Sequence, residues 1–156
     1  MARIVRFKQT GGPEVLQLIE EQVALPGKGE VQIKVHAIGV NRAEIMFRMD
    51  QYLEVPQLPA RLGYEAAGTV AAVGEGVSEF KVGDAVSTVP SFSQNQYGVY
   101  GELVNVPATA VVKHPSSLSW SQAAAIWMQY MTAYGALVDI ADIKTGEFVL
   151  IPAASS

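Results

Sequence analysis

The chain has 156 residues, 49% of them hydrophobic and 17% charged, with a net charge of −4 and no cysteine. That length buries one sizeable core, and the charge leaves no basic surplus for a nucleic-acid backbone or an anionic membrane surface. The missing thiols exclude disulfides, cysteine-based zinc sites, iron–sulfur clusters and a thiol nucleophile, so a cytoplasmic protein with a small-molecule partner is expected.

Met1 to Phe7 alternates charged and apolar side chains and lacks the apolar run of a secretory signal or a membrane span. Arg3 to Phe7 reads as a strand and Leu16 to Val23 as a second, with Gly11-Gly12-Pro13 as the turn between them. Val31 to Ala37 alternates, which places Val31, Ile33 and Val35 on a buried face and Gln32 and Lys34 toward water. Gly68 to Val73, Asp84 to Val89, Glu102 to Val106 and Ala110 to Lys113 continue the pattern. Many short strands without long helices between them predict a β-rich α+β chain built on a barrel or curled sheet. Gly74-Glu75-Gly76 precedes no helix, so it reads as a turn and not as a phosphate loop. His36 and His114 have no carboxylate or second histidine at ligand spacing and carry no metal reading.

Ser119-Trp120-Ser121-Gln122 has the capping-box pattern that opens a helix. From Ala123 to Val138 nearly every residue is apolar or small, which predicts burial between two bodies of protein, with Tyr134 as a core residue. After the turn Lys144-Thr145-Gly146, the run Glu147 to Ile151 reads as a strand covered on both faces, the first of a parallel sheet. Ala153-Ala154-Ser155-Ser156 then reads as a small-residue turn that lets a backbone approach a ligand. Two units follow: residues 1–120, and residues 121–156 as a connecting helix and the start of a second domain.

Three segments carry a resemblance over the whole chain: Gly39-Val40-Asn41-Arg42-Ala43-Glu44; Gly63-Tyr64-Glu65-Ala66-Ala67-Gly68-Thr69-Val70 with the following Val73 to Asp84; and Met131-Thr132-Ala133-Tyr134 with the strand ending at Ile151. In this order they resemble the medium-chain dehydrogenase/reductases, and among them the zinc-independent quinone-oxidoreductase type. The resemblance implies a GroES-like, partly open β-barrel followed by a helical segment and the first strand of a truncated Rossmann domain. It implies NADP(H) or NAD(H) as cofactor in the full-length protein, and reduction of quinones or α,β-unsaturated carbonyls by hydride transfer.

By alignment with the zinc-dependent alcohol dehydrogenases, the three catalytic ligand places fall on Asn41, Tyr64 and Met128; an amide, a phenol and a thioether make no usable zinc site. No metal is expected, and a hydrogen-bond donor must then polarise the acceptor's carbonyl. Tyr64 and Tyr52 are the candidates, although an ordinary aromatic wall is an equally good reading of both. The resemblance places Asn41 near the nicotinamide ribose and the substrate, Thr132 at the nicotinamide end of the cofactor, and Met128 and Tyr130 in the substrate pocket, with a core role for that pair left open. Glu65 is expected to be structural, paired with an arginine. The apolar 123–138 face, if the chain ends at Ser156, predicts a homodimer. Three other readings stand beside the reductase: a non-catalytic or crystallin-like relative and, less favoured, a free-standing GroES-like interaction module and a zinc-dependent alcohol dehydrogenase.

Overall fold

The computed structural model describes residues 1–152, and the small-residue turn expected at 153–156 lies outside them. Seven strands form in the predicted places: β1 (Ala2–Arg6), β2 (Gln17–Glu21), β3 (Glu30–Ile38), β4 (Ala66–Val73), β5 (Ala85–Thr88), β6 (Leu103–Pro107) and β7 (Val111–Lys113). Strands β1 and β2 pair antiparallel, and the other five form an antiparallel sheet in the order β6-β3-β4-β5-β7. Val5 N donates to Tyr100 O and Glu102 N to Arg3 O, both at 2.9 Å, so β1 leans on the segment entering β6 and the sheet curls toward a partly open barrel. Irregularities in the β3–β4 register, between Gln32 and Ile33 and between Val35 and Ala37, bend the long central strand to fit that curl.

Alternation explains the core. Val31 and Ile33 of β3, Val70 of β4, Val86 of β5, and Val104 and Val106 of β6 are all buried and belong to one cluster. Each is worth about 1.5–3 kcal/mol relative to exposure. Phe7 and Phe47 close the cluster edge to face, 5.9 Å apart. Lys34 meets water as expected, but Gln32 is buried, because the chain after β2 crosses it. Its Nε2 instead donates to Ala24 O and Asn105 Oδ1, at 2.9 and 3.0 Å.

Four short α-helices complete the described part: α1 (Arg42–Arg48), α2 (Gln94–Tyr97), α3 (Trp120–Ala123) and α4 (Trp127–Tyr134). The Ser119 box is formed, with Ser119 N donating to Gln122 Oε1 at 2.9 Å and Gln122 N to Ser119 Oγ at 3.3 Å. Alanines let α3 lie close on the sheet, Ala123 and Ala124 packing against Ala67. Trp120 is held there by His36, stacked at 4.6 Å, and by His114, edge-on at 5.3 Å, which gives both histidines a packing role.

Beyond Ala124 the expected burial is absent. Helix α4 and the wide π-type turn after it (Gly135–Ile140) bury none of their residues, and Tyr134, expected in the core, is 60% exposed. Residues 147–151 form no strand, and Phe148 is fully exposed. Both corrections have one cause: a two-sided strand and an apolar helix need a second layer, and the described residues supply none.

Candidate active site

Two buried carboxylates build the site. Glu44, in the first turn of α1, accepts from Asn41 N at 2.7 Å and from Tyr64 N at 3.1 Å. It is 2% exposed, and burial raises its pKa in spite of those donors. Glu65, just before β4, accepts from Asn41 Nδ2 at 2.9 Å and from Met128 N at 2.8 Å. Residues 41, 64 and 128, far apart in sequence, are therefore tied to one place by two acidic side chains. Glu65 was expected to pair with an arginine. The structure gives it two uncharged N–H donors instead, which satisfies a buried carboxylate without bringing a second charge out of water.

Close approach shapes the floor. Gly39 N donates to Glu65 O at 2.9 Å, and a Cβ on Gly39 would stand 2.3 Å from Ala124 O. Gly63 has φ +106°, and a Cβ there would stand 2.2 Å from the Tyr100 ring. The Tyr100 hydroxyl donates to Gly39 O at 2.9 Å, joining both glycines to one buried phenol, whose pKa is raised by burial.

Tyr64 is 8% exposed and lies between Tyr52 and Phe92, with ring centroids 6.3 and 5.7 Å away. Burial, then the neighbouring Tyr52 hydroxyl, pushes its pKa up to about 12, so at neutral pH the phenol is protonated and able to donate. Tyr52 is half-buried, and the segment that follows it is pinned to α2: Asn95 Nδ2 donates to Glu54 Oε1 at 3.0 Å and to Val55 O at 2.9 Å.

Met128 and Thr132 share one wall of a pocket of about 230 Å³ with Pro90, Trp127 and Met131. Thr132 Oγ1 donates to Met128 O at 2.5 Å. Tyr130 is not brought to this group. It is 69% exposed and borders a separate pocket of about 550 Å³ with Leu118, Gln122 and Ile126. Two residues apart on a helix means about 200° of rotation, so Met128 and Tyr130 leave α4 on different sides, with Trp127 and Met131 bordering a pocket next to each.

The donor set does not suit zinc: the Asn41 amide nitrogen is engaged by Glu65, the Tyr64 phenol resists ionisation, and a thioether alone is too weak. Among the described residues no three His, Cys, Asp or Glu side chains cluster as ligands, and no helix is long and apolar enough to cross a membrane.

The sequence reading passes over Glu44, Gln94 and Tyr100. Glu44 carried a signal, since Asn41-Arg42-Ala43-Glu44 has the same capping spacing as Ser119 to Gln122. Gln94 and Tyr100 carried none, because their roles depend on contacts with residues more than thirty positions away.

Residues 27–116 match the family model described as alcohol dehydrogenase GroES-like domain. The chain is 42% identical over 156 residues to the quinone oxidoreductase of Homo sapiens, covering 99% of this chain and 46% of that protein. It superposes on the crystal structure of Escherichia coli quinone oxidoreductase complexed with NADPH with a TM-score of 0.76 and 36% identity, over 87% of this chain and 40% of that one. A crystal structure of an NAD-dependent alcohol dehydrogenase matches with a TM-score of 0.87 and 30% identity, over 93% of this chain and 49% of that one. The chain thus spans about half the length of the relatives it matches.

Proposed function

Since the chain belongs to the family of alcohol dehydrogenase GroES-like domains, we propose that it forms the substrate side of an NADPH-dependent, zinc-independent oxidoreductase that reduces quinones or α,β-unsaturated carbonyls. In this reading residues 1–120 are the substrate domain and residues 121–156 lead into a nucleotide-binding domain. The packing of Ala123 and Ala124 on β4 supports a seam just beyond residue 124. The likeness to proteins named as quinone oxidoreductases supports the reaction class, and a cytoplasmic setting fits a chain without cysteine.

One observation carries the mechanism: Tyr64 is a buried phenol held neutral. When bound, the reduced dinucleotide supplies hydride. Addition of hydride to a conjugated acceptor moves negative charge onto a carbonyl oxygen, and a preorganised neutral donor meets that charge without a metal. Tyr64 is that donor, with Tyr52 beside it on the same wall. The residues present fit a nicotinamide. Thr132 Oγ1 spends its hydrogen on Met128 O and keeps lone pairs for an amide N–H, while Pro90, Trp127 and Met131 offer apolar walls. Asn41, its Nδ2 fixed on Glu65 and its side chain at the start of α1, would stand beside the ribose.

The test is a fluorescence titration of the whole enzyme with NADPH, followed by its oxidation with a small quinone. Saturable binding and turnover are expected, and Tyr64→Phe should lower kcat roughly a hundredfold with NADPH affinity unchanged. Binding without turnover would favour the non-catalytic relative. A Tyr64→Phe enzyme as fast as the parent would remove Tyr64 from the chemistry.

A further inference from the structure

Gln94 opens α2 and its side chain is fully buried, at 0% exposure. Its Oε1 accepts from the Gly63 backbone N–H at 2.8 Å. A backbone N–H can only donate, so the amide cannot be turned around and Nε2 must point the other way. There Nε2 makes no hydrogen bond, an expensive arrangement for a buried donor. The group beside it is the phenol of Tyr64, the residue after Gly63; Gln94 is close enough to favour the phenol's ionised form against the effect of burial, but no bond has formed.

We infer that Gln94 is the positioning residue of the Tyr64 donor: Nε2 stands ready to take a lone pair of the phenol oxygen and turns the phenol hydrogen away from itself, to the side where the acceptor's carbonyl oxygen would bind. The inference rests on the reductase reading above. A phenol oxygen has one hydrogen and two lone pairs; an amide N–H in front of it turns that hydrogen away from Gln94, toward the Tyr52 hydroxyl beside it or the acceptor's carbonyl oxygen. The Glu54 carboxylate, near enough to act on the phenol, is held toward α2 by Asn95 Nδ2 at 3.0 Å and by the Ser93 hydroxyl, so it does not compete for the hydrogen. The unformed bond fits the role as well. As Tyr64 gives part of its hydrogen to the developing oxyanion, its own oxygen gains charge, and a donor waiting behind it tightens at that moment and not before.

Gln94→Glu keeps the side-chain shape and the acceptor for Gly63 N–H but puts an acceptor where the donor was. In the whole enzyme we expect kcat for quinone reduction to fall about tenfold with NADPH affinity unchanged, and no further fall when the change is made in Tyr64→Phe. An equal loss in both backgrounds, or no loss in either, overturns the inference. If the carboxylate prevents folding, Gln94→Met gives the same comparison. A readout independent of turnover is the NMR resonance of Tyr64 in protein isotope-labelled at tyrosine Cζ, identified by its disappearance in Tyr64→Phe. It should move in Gln94→Met, and an unmoved resonance overturns the inference. A parent enzyme without quinone turnover would sink the reductase reading, while the Tyr64 resonance would still decide whether Gln94 engages the phenol.

Discussion

The donor role proposed for Tyr64 requires the protonated phenol, and its surroundings make that state part of the fold's stability. Its pKa is raised to about 12 in the folded protein, first by burial and then by Tyr52, whereas an unfolded chain releases the same proton near pH 10. A raised folded pKa means that the contribution is fully present below the unfolded value and is lost as pH climbs through the folded one. Thermal unfolding followed against pH should therefore show an alkaline loss between about pH 10 and about pH 12 that shrinks in Tyr64→Phe; an identical loss in both proteins would mean that the phenol is not desolvated. The motif residues Asn41 and Tyr64 and the position of Met128 were legible in the sequence because a motif marks places that the backbone must bring together. What holds them was less legible. Glu44 announces itself only by its spacing from Asn41, and Gln94 only through its contact with Gly63.

Among the elements, the β1–β2 pair shows how charge assists a small sheet that shares few hydrogen bonds with its neighbour. Arg6 Nε donates to Glu21 Oε2 at 2.8 Å, and Arg61 Nη2 to Glu21 Oε1 at 2.5 Å, so one carboxylate joins two strands to the segment leading to Tyr64. Partial burial pushes the Glu21 pKa up, but Arg61 and Arg6 outweigh it and hold the carboxyl below the usual range. A depressed folded pKa contributes above the unfolded value, about pH 4.3, and is lost as pH falls through the folded one. Glu21→Gln should cost about 1 kcal/mol at neutral pH and flatten the acid limb of the stability profile; an unchanged acid limb would show that the carboxylate is not coupled to folding. The strands themselves were readable because alternation with one wet face is a local signal; it is clearest in β6, is lost in β4 and β5, where neighbouring residues are buried together, and fails at Gln32, where a crossing segment covers the wet side. Helix α4 and residues 147–151 were misjudged in burial for the opposite reason, since an all-apolar pattern says only that a partner layer is needed.

Across the whole molecule, a curled antiparallel sheet carries a group of side chains in which buried carboxylates are consumed by N–H donors and the Tyr64 phenol is kept neutral. That division of labour is the physical core of the proposed reductase: acidic side chains fix positions, and uncharged ones face the acceptor. The same frame matches an NAD-dependent alcohol dehydrogenase in shape, so the frame alone does not choose the chemistry and the donor set does. The most direct measurement is the rate of quinone reduction by NADPH in the whole enzyme after exhaustive dialysis against a chelator, and again with zinc restored. The predicted result is the same rate in both; a rate that collapses on chelation and returns with stoichiometric zinc would contradict a site that polarises its acceptor with neutral donors.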